Sequence, residues 1–151
     1  MSHQDPNTAW AFLNGTFVPK DTPAIRLEDR GLTFGDGIFE VIRIVAGEPL
    51  FFEQHLERMI ASAGFFGLPF PHGVDALQRA ARELARRNGV PDGELYLQLT
   101  RGGDRNREHR YPPSGTPPTF FMLAFPLRRI DPDLWVHGAR VIRYPDLRGL
   151  L

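Results

Sequence analysis

Three groups of side chains have the types and spacing to do chemistry. Arg58 stands in the segment Glu53 to Phe65, where Leu56, Met59, Ile60 and Ala63 recur at helical spacing. A guanidinium held on a helix offers donors in a fork, a geometry that suits phosphate oxygens. The ordinary alternative is a solvated arginine pairing with Glu57 or Ser62. Arg107-Glu108-His109 sets two donors one residue apart in a loop, where they can close on a carboxylate. The ordinary alternative is a solvated basic loop, because Arg101 to Arg110 carries four arginines against Asp104 and Glu108. Phe39, Val41 and Arg43 alternate with Glu40, Ile42 and Ile44, so they share one face of a strand. A buried cation needs a partner, and a site at that face would supply one. For Phe39 the plainer reading is core.

Other polar groups carry less. Glu40 lies on the opposite strand face and suits a structural role, ordering nearby arginines or pairing with Arg30. His3, His55, His72 and His137 show no metal-ligand spacing, and His55 reads as packing. Gly35-Asp36-Gly37 lacks the Gly-Lys-Ser/Thr ending of a phosphate loop. There is no cysteine, hence neither a disulfide framework nor thiolate chemistry. Lys20 is the only lysine; every other basic residue is arginine.

The elements that must position these groups follow from pattern. With 42% apolar residues, the 151 residues can build one core. Basic and acidic residues balance at 18 each, which argues against nucleic acid or a charged membrane surface as partner. No apolar run is long enough to span a bilayer and no signal-peptide pattern is present, which favours the cytoplasm. Residues 1–8 read as a flexible tail. Trp10 to Leu13 and Thr16 to Val18 form a hairpin around Asn14-Gly15. Ala24 to Leu27 suggests a short strand. The strand Phe39 to Val45 turns at Ala46 to Pro49 and returns through Leu50-Phe51-Phe52. Glu53 to Phe65 and Val74 to Asn88 are helices, separated by Pro69 and Pro71. Leu95, Leu97 and Leu99 mark a half-buried strand. Residues 101–118 make a long loop rich in Gly, Arg and Pro. Thr119 to Phe125 is a central strand, Pro126 to Pro132 a turn, and Ala139 to Arg143 a last strand. Strands, two helices, then strands predict an α+β fold: a mostly antiparallel sheet with two helices packed on it.

Asp29-Arg30-Gly31, Phe34-Gly35-Asp36-Gly37-Ile38-Phe39-Glu40 and His55-Leu56-Glu57-Arg58 together resemble the N-terminal domain of class IV, fold-type IV, pyridoxal-phosphate aminotransferases. That family includes D-amino-acid and branched-chain enzymes, and the resemblance runs from about Trp10 to Leu147. It implies a small N-terminal lobe over residues 9–143 and the start of an interdomain connection over 144–151. It implies pyridoxal 5′-phosphate as cofactor, with Arg58 on its phosphate. It places Phe39, Val41 and Arg43 on the substrate wall, and Arg107 and His109 on the substrate carboxylate, across a homodimer interface. It implies amino transfer between an amino acid and a 2-oxo acid. Many D-amino-acid enzymes carry tyrosine where Phe39 stands, whereas the Arg107–His109 pair resembles theirs. Hence a D-amino acid, a branched-chain L-amino acid and an (R)-amine all stay open.

The resemblance also implies a Schiff-base lysine soon after a stretch like Tyr144 to Arg148, and this chain has no lysine there. Lys20 lies in the hairpin region, away from any such site. A fragment, a natural truncation and one half of a split enzyme are the explanations, and the fragment is the favoured expectation. The rival functions are an aminodeoxychorismate-lyase-like enzyme with the same cofactor, and a non-catalytic binding domain. RNA binding by the 101–110 loop is a weaker idea, opposed by the balanced charge.

Overall fold

Period-two hydrophobicity becomes a six-stranded sheet. A computed structural model describes residues 9–22, 25–103, 106–128 and 131–145; the expected tail, and the connection beyond Pro145, lie outside them. Strands β1 (Trp10–Leu13) and β2 (Thr16–Pro19) form the expected hairpin. Asn14 and Gly15 take φ of 46° and 92°, the left-handed pair that a two-residue hairpin turn requires. Strands β3 (Gly37–Val45), β4 (Glu48–Pro49), β5 (Gly93–Thr100) and β6 (Thr119–Pro126) complete the sheet. Its order is β2-β1-β6-β5-β3-β4, and all its pairings are antiparallel. The continuous apolar run of β6 is central, as expected.

Helices α2 (Phe52–Phe66) and α3 (Val74–Arg87) lie on one face. Alternation along the strands sends Ile42, Ile44, Leu95, Leu97, Leu99, Phe120 and Met122 to that face, all fully buried. They meet Leu56, Met59 and Ala63 of α2 and Leu77, Ala81 and Leu84 of α3 in one core. The α2 stripe is shifted from expectation: Phe52 joins it, and Ile60 stands exposed.

Register places a second set of residues on the other face. Ala11, Leu123, Tyr96 and Val41 form one cross-strand row; Leu13, Phe121, Gln98 and Phe39 form the next. Phe39 is 63% exposed and Val41 42%, so Phe39 is not core.

Four sequence expectations change. Arg30–Phe34 forms a short helix, α1, because the Asp29 side chain accepts from the Gly31 amide at 2.8 Å and Gly35 ends the turn at φ 66°. Ile25 to Leu27 forms no strand, and Ala24 lies outside the described residues. Leu50-Phe51-Phe52 does not return as a strand: β4 stops at Pro49, Phe51 turns left-handed at φ 51°, and Phe52 opens α2. Near the end, Asp131 caps a helix, α4 (Pro132–His137), with proline at its start. Ala139 to Arg143 pairs with no strand among the described residues, and Val141 and Ile142 stand exposed.

His72 packs edge-on between Phe12 and Phe120, with ring centroids 5.9 and 5.4 Å away. Its Nε2 finds no hydrogen-bond partner among the described residues. Burial therefore disfavours the imidazolium and lowers its pKa from the ordinary 6.5. The folded chain then binds fewer protons than the unfolded chain as pH falls below 6.5. Stability attached to the neutral ring is full above that pH and drains as pH falls toward the depressed folded value. We expect His72→Phe to flatten this limb. Urea midpoints on either side of pH 6.5 test it, and an unchanged acid slope would refute the assignment.

Candidate functional site

The functional candidates gather along β3. Only Ile44 and Val45 of this strand pair with β4, so from Gly37 to Ile42 its outer edge meets no strand among the described residues. An unpaired edge offers free backbone groups and is normally covered or used. Phe39 and Val41 flank it on the open face; Glu40 flanks it on the helix face.

Glu40 is 5% exposed and directs its carboxylate at α2. The Arg58 Nε donates to one oxygen at 2.6 Å, and its Nη2 donates to the other. His55 Nδ1 lies 2.8 Å from that second oxygen. Burial alone would raise the Glu40 pKa. The hydrogen bonds and charges of Arg58 and His55 outweigh it and hold the carboxyl below its ordinary range. The same pairing raises the pKa of Arg58. Glu40 therefore partners Arg58 and His55 rather than Arg30, and Arg58 pairs with neither Glu57 nor Ser62. The Arg58 side chain is 67% exposed, and its Nη1 has no protein partner among the described residues. A fork fixed on one edge by a carboxylate, with its remaining amine open to solvent, is a ready anion donor.

On the open face Phe39 stacks on Tyr96 with ring centroids 5.7 Å apart. The Tyr96 hydroxyl donates to Gln98 Oε1 at 2.9 Å, and burial raises the Tyr96 pKa. The result is an aromatic wall with one amide in it. Arg43 lies toward the far end of the strand. Its Nη1 donates to the Ile44 and Gly93 carbonyls at 2.7 and 2.8 Å, and Nη2 is 3.6 Å from Asp92. The partner that a strand arginine needs is thus found at the sheet margin, and the guanidinium does not reach along the wall.

Arg107 and His109 converge on one ring. The Arg107 Cζ lies 4.3 Å from the Phe34 centroid, and the His109 ring lies 5.2 Å from it. Both side chains belong to exposed residues. A cavity of about 330 Å3 is lined here by Arg30, Phe34, Asn106, Arg107, Arg110 and Tyr111, among others. Arg30 on its wall belongs to an ionic cluster that sequence pattern does not reveal. Asp36 Oδ2 accepts from Arg30 Nε at 2.8 Å and from Arg101 Nε at 2.9 Å. Burial raises the Asp36 pKa, and the two arginines more than reverse it, holding it below the ordinary range. Asp29 supports the cluster by accepting from the Thr100 and Thr119 hydroxyls at 3.1 and 2.6 Å. The one available sequence signal was an acid six residues from a basic residue across a glycine-rich turn.

Lys20 lies just beyond β2, with β1, β6 and β5 between it and β3. It borders an apolar depression lined by Ala11, Leu13, Val18, Phe121 and Leu123. Among the described residues no group of three acids and histidines could hold a metal ion, and no helix is long and apolar enough to cross a membrane.

Comparison with known proteins places the chain in a family and its fold among solved structures. D-alanine aminotransferase of Staphylococcus epidermidis is 39% identical over 139 residues, which cover 92% of this chain and 49% of that protein. The chain therefore spans about half the length of the curated relatives it matches. Branched-chain amino acid aminotransferase of Escherichia coli superposes with a TM-score of 0.71 at 23% identity, covering 80% of this chain and 40% of that one, a likeness of fold. 4-Amino-4-deoxychorismate lyase of Pseudomonas aeruginosa superposes with a TM-score of 0.64 at 27% identity, covering 87% of this chain and 45% of that one. The family model for amino-transferase class IV matches residues 37–148, from the bare β3 edge through the arginine-rich loop. On that match the chain belongs to the class IV aminotransferase family.

Proposed function

We propose that this chain is the small lobe of a pyridoxal-phosphate enzyme that moves an amino group between a D-amino acid and a 2-oxo acid. The observation that carries the reading is the Glu40–Arg58 fork beside a bare strand edge. Glu40 fixes the guanidinium without using all of its donors, so Nη1 remains for a phosphate oxygen. The donor set thus fits the phosphate end of the cofactor. Pyridoxal phosphate, when bound, supplies an electron sink at the substrate α-carbon. The work of this chain is to bind and orient.

Arg58 neutralises phosphate charge at the edge of β3. Phe39 and Val41, backed by Tyr96, present an apolar wall that excludes water and shapes side-chain specificity. Arg43 stays at the margin of that wall. Arg107 and His109 present two donors to a substrate carboxylate, in a homodimer from the neighbouring subunit, in the cytoplasm. The name of the Staphylococcus relatives favours D-alanine and similar small D-amino acids as substrates. A second reading, turnover of 4-amino-4-deoxychorismate, is favoured by the Pseudomonas neighbour.

Two outcomes follow for the full-length protein. Arg58→Ala should weaken pyridoxal-phosphate affinity on the order of tenfold, the loss of a charged hydrogen bond, and should also lower the melting temperature, because the buried Glu40 then keeps only His55 as a partner. Titration followed by cofactor absorbance measures the first and thermal unfolding the second. Unaltered affinity would remove Arg58 from the phosphate site. A panel of D-alanine, L-leucine, an (R)-amine and 4-amino-4-deoxychorismate should give the highest kcat/KM for D-alanine. Preference for L-leucine or the amine would move the reading to another aminotransferase class, and preference for 4-amino-4-deoxychorismate would move it to the lyase.

A further inference from the structure

Arg30 is 8% exposed, and pairing with Asp36 uses only its Nε. Its Nη1 donates to the Glu108 carbonyl at 2.7 Å and to the Arg110 carbonyl at 3.1 Å. These carbonyls stand on either side of His109. We propose that Arg30 is the positioning residue for the carboxylate-holding loop: by gripping both flanks of His109 it sets the direction in which Arg107 and His109 point. The inference rests on the carboxylate role proposed for that pair.

The grip has a fixed reference. Asp36 is shared with Arg101, whose Nη1 and Nη2 donate to the carbonyls of Gly67 and Phe66 at 3.2 and 2.9 Å. Those residues end α2, the helix that carries Arg58. A chain of charge-assisted hydrogen bonds therefore runs from the phosphate-donor helix through Arg101, Asp36 and Arg30 to the loop. Phe34 completes the seat. Its ring lies 4.5 Å from the Arg30 guanidinium and 4.3 Å from that of Arg107. A merely structural cation would need only Asp36, which Arg101 already satisfies. The Nη1 donors of Arg30 go instead to a loop segment, 106–110, whose residues are exposed. Lysine could not replace it, because a point donor reaches the carboxylate or the carbonyls but not both.

The test uses the full-length protein with cofactor, Arg30→Lys, and D-alanine as substrate. KM for the amino acid should rise roughly tenfold or more, as for a contact displaced by about an ångström. kcat should stay within about twofold, since binding rather than chemistry is lost, and cofactor absorbance should be unchanged. A purely structural role would lower the melting temperature and leave KM alone, which would overturn the inference. In an Arg107→Ala, His109→Ala background, Arg30→Lys should add no further rise in KM, because it acts through those residues. An additive rise would also overturn it. If Arg107→Ala, His109→Ala itself leaves KM unchanged, the carboxylate reading fails and takes the inference with it. If that variant raises KM and Arg30→Lys does not, only the inference fails. Should Arg30→Lys not fold, Asp36→Glu keeps the charge that both guanidiniums need while shifting the Nε anchor by a methylene, and an unmoved KM there counts against Arg30 equally.

Discussion

One carboxylate, Asp36, holds two guanidiniums, and the loop that carries Arg107 and His109 is anchored through them. Arg30 and Arg101 both place Nε within 2.9 Å of the same oxygen. Each charge is largely withdrawn from water, so removing one member would leave the others poorly compensated. The backbone repeats the connection: the Arg30 amide donates to the Gly102 carbonyl, the Asp36 amide to the Arg30 carbonyl, and the Arg101 amide to the Asp36 carbonyl. Short helix α1, the start of β3 and the exit of β5 thus meet at one point. The long loop from residue 101 to residue 118 leaves from there. Gly102 sits at φ 71°, and a Cβ on it would lie 2.0 Å from the Pro117 carbonyl oxygen. The two ends of the loop are therefore pressed together at a position only glycine can occupy.

The sheet was legible because its period is simple. Leucines at 95, 97 and 99, and the run from Thr119, could only be strands with one buried face. Asn14-Gly15 forced the first hairpin. What escaped depended on tertiary partners. Residues 139–143 include the strand-forming Val141 and Ile142, but no strand among the described residues pairs with them. Phe51 takes a left-handed backbone, which no propensity foretells, and so the second return strand became the start of α2. The helix α1 needed the Asp29 cap to be seen as a cap, and that role is hidden in a motif otherwise read as a family signature.

The site was legible by resemblance more than by pattern. Motif positions single out Arg58, Phe39, Val41, Arg107 and His109, and in the structure Phe39, Arg107 and His109 are exposed and the Arg58 side chain is open to solvent. Arg43 was read as part of the wall, yet its guanidinium is tied to carbonyls and Asp92 at the sheet margin. For Glu40 the structure takes the first of the two alternatives, ordering a nearby arginine, Arg58, and not pairing with Arg30. Arg30, Asp36 and Arg101 were missed as a unit because Arg101 lies 65 residues from Asp36, and only folding joins them. The division of labour is therefore physical. Residues on the strand faces and the helix present exposed groups, and buried charges anchor the loop and strand that carry them.

The most direct test of this account is a structure of the full-length protein with pyridoxal phosphate and a D-alanine-like carboxylate bound. A phosphate oxygen should lie on Arg58 Nη1, with Glu40 still paired behind it, and the substrate carboxylate between Arg107 and His109. A phosphate held elsewhere, with Arg58 in solvent and the Arg107–His109 pair away from the ligand, would contradict it.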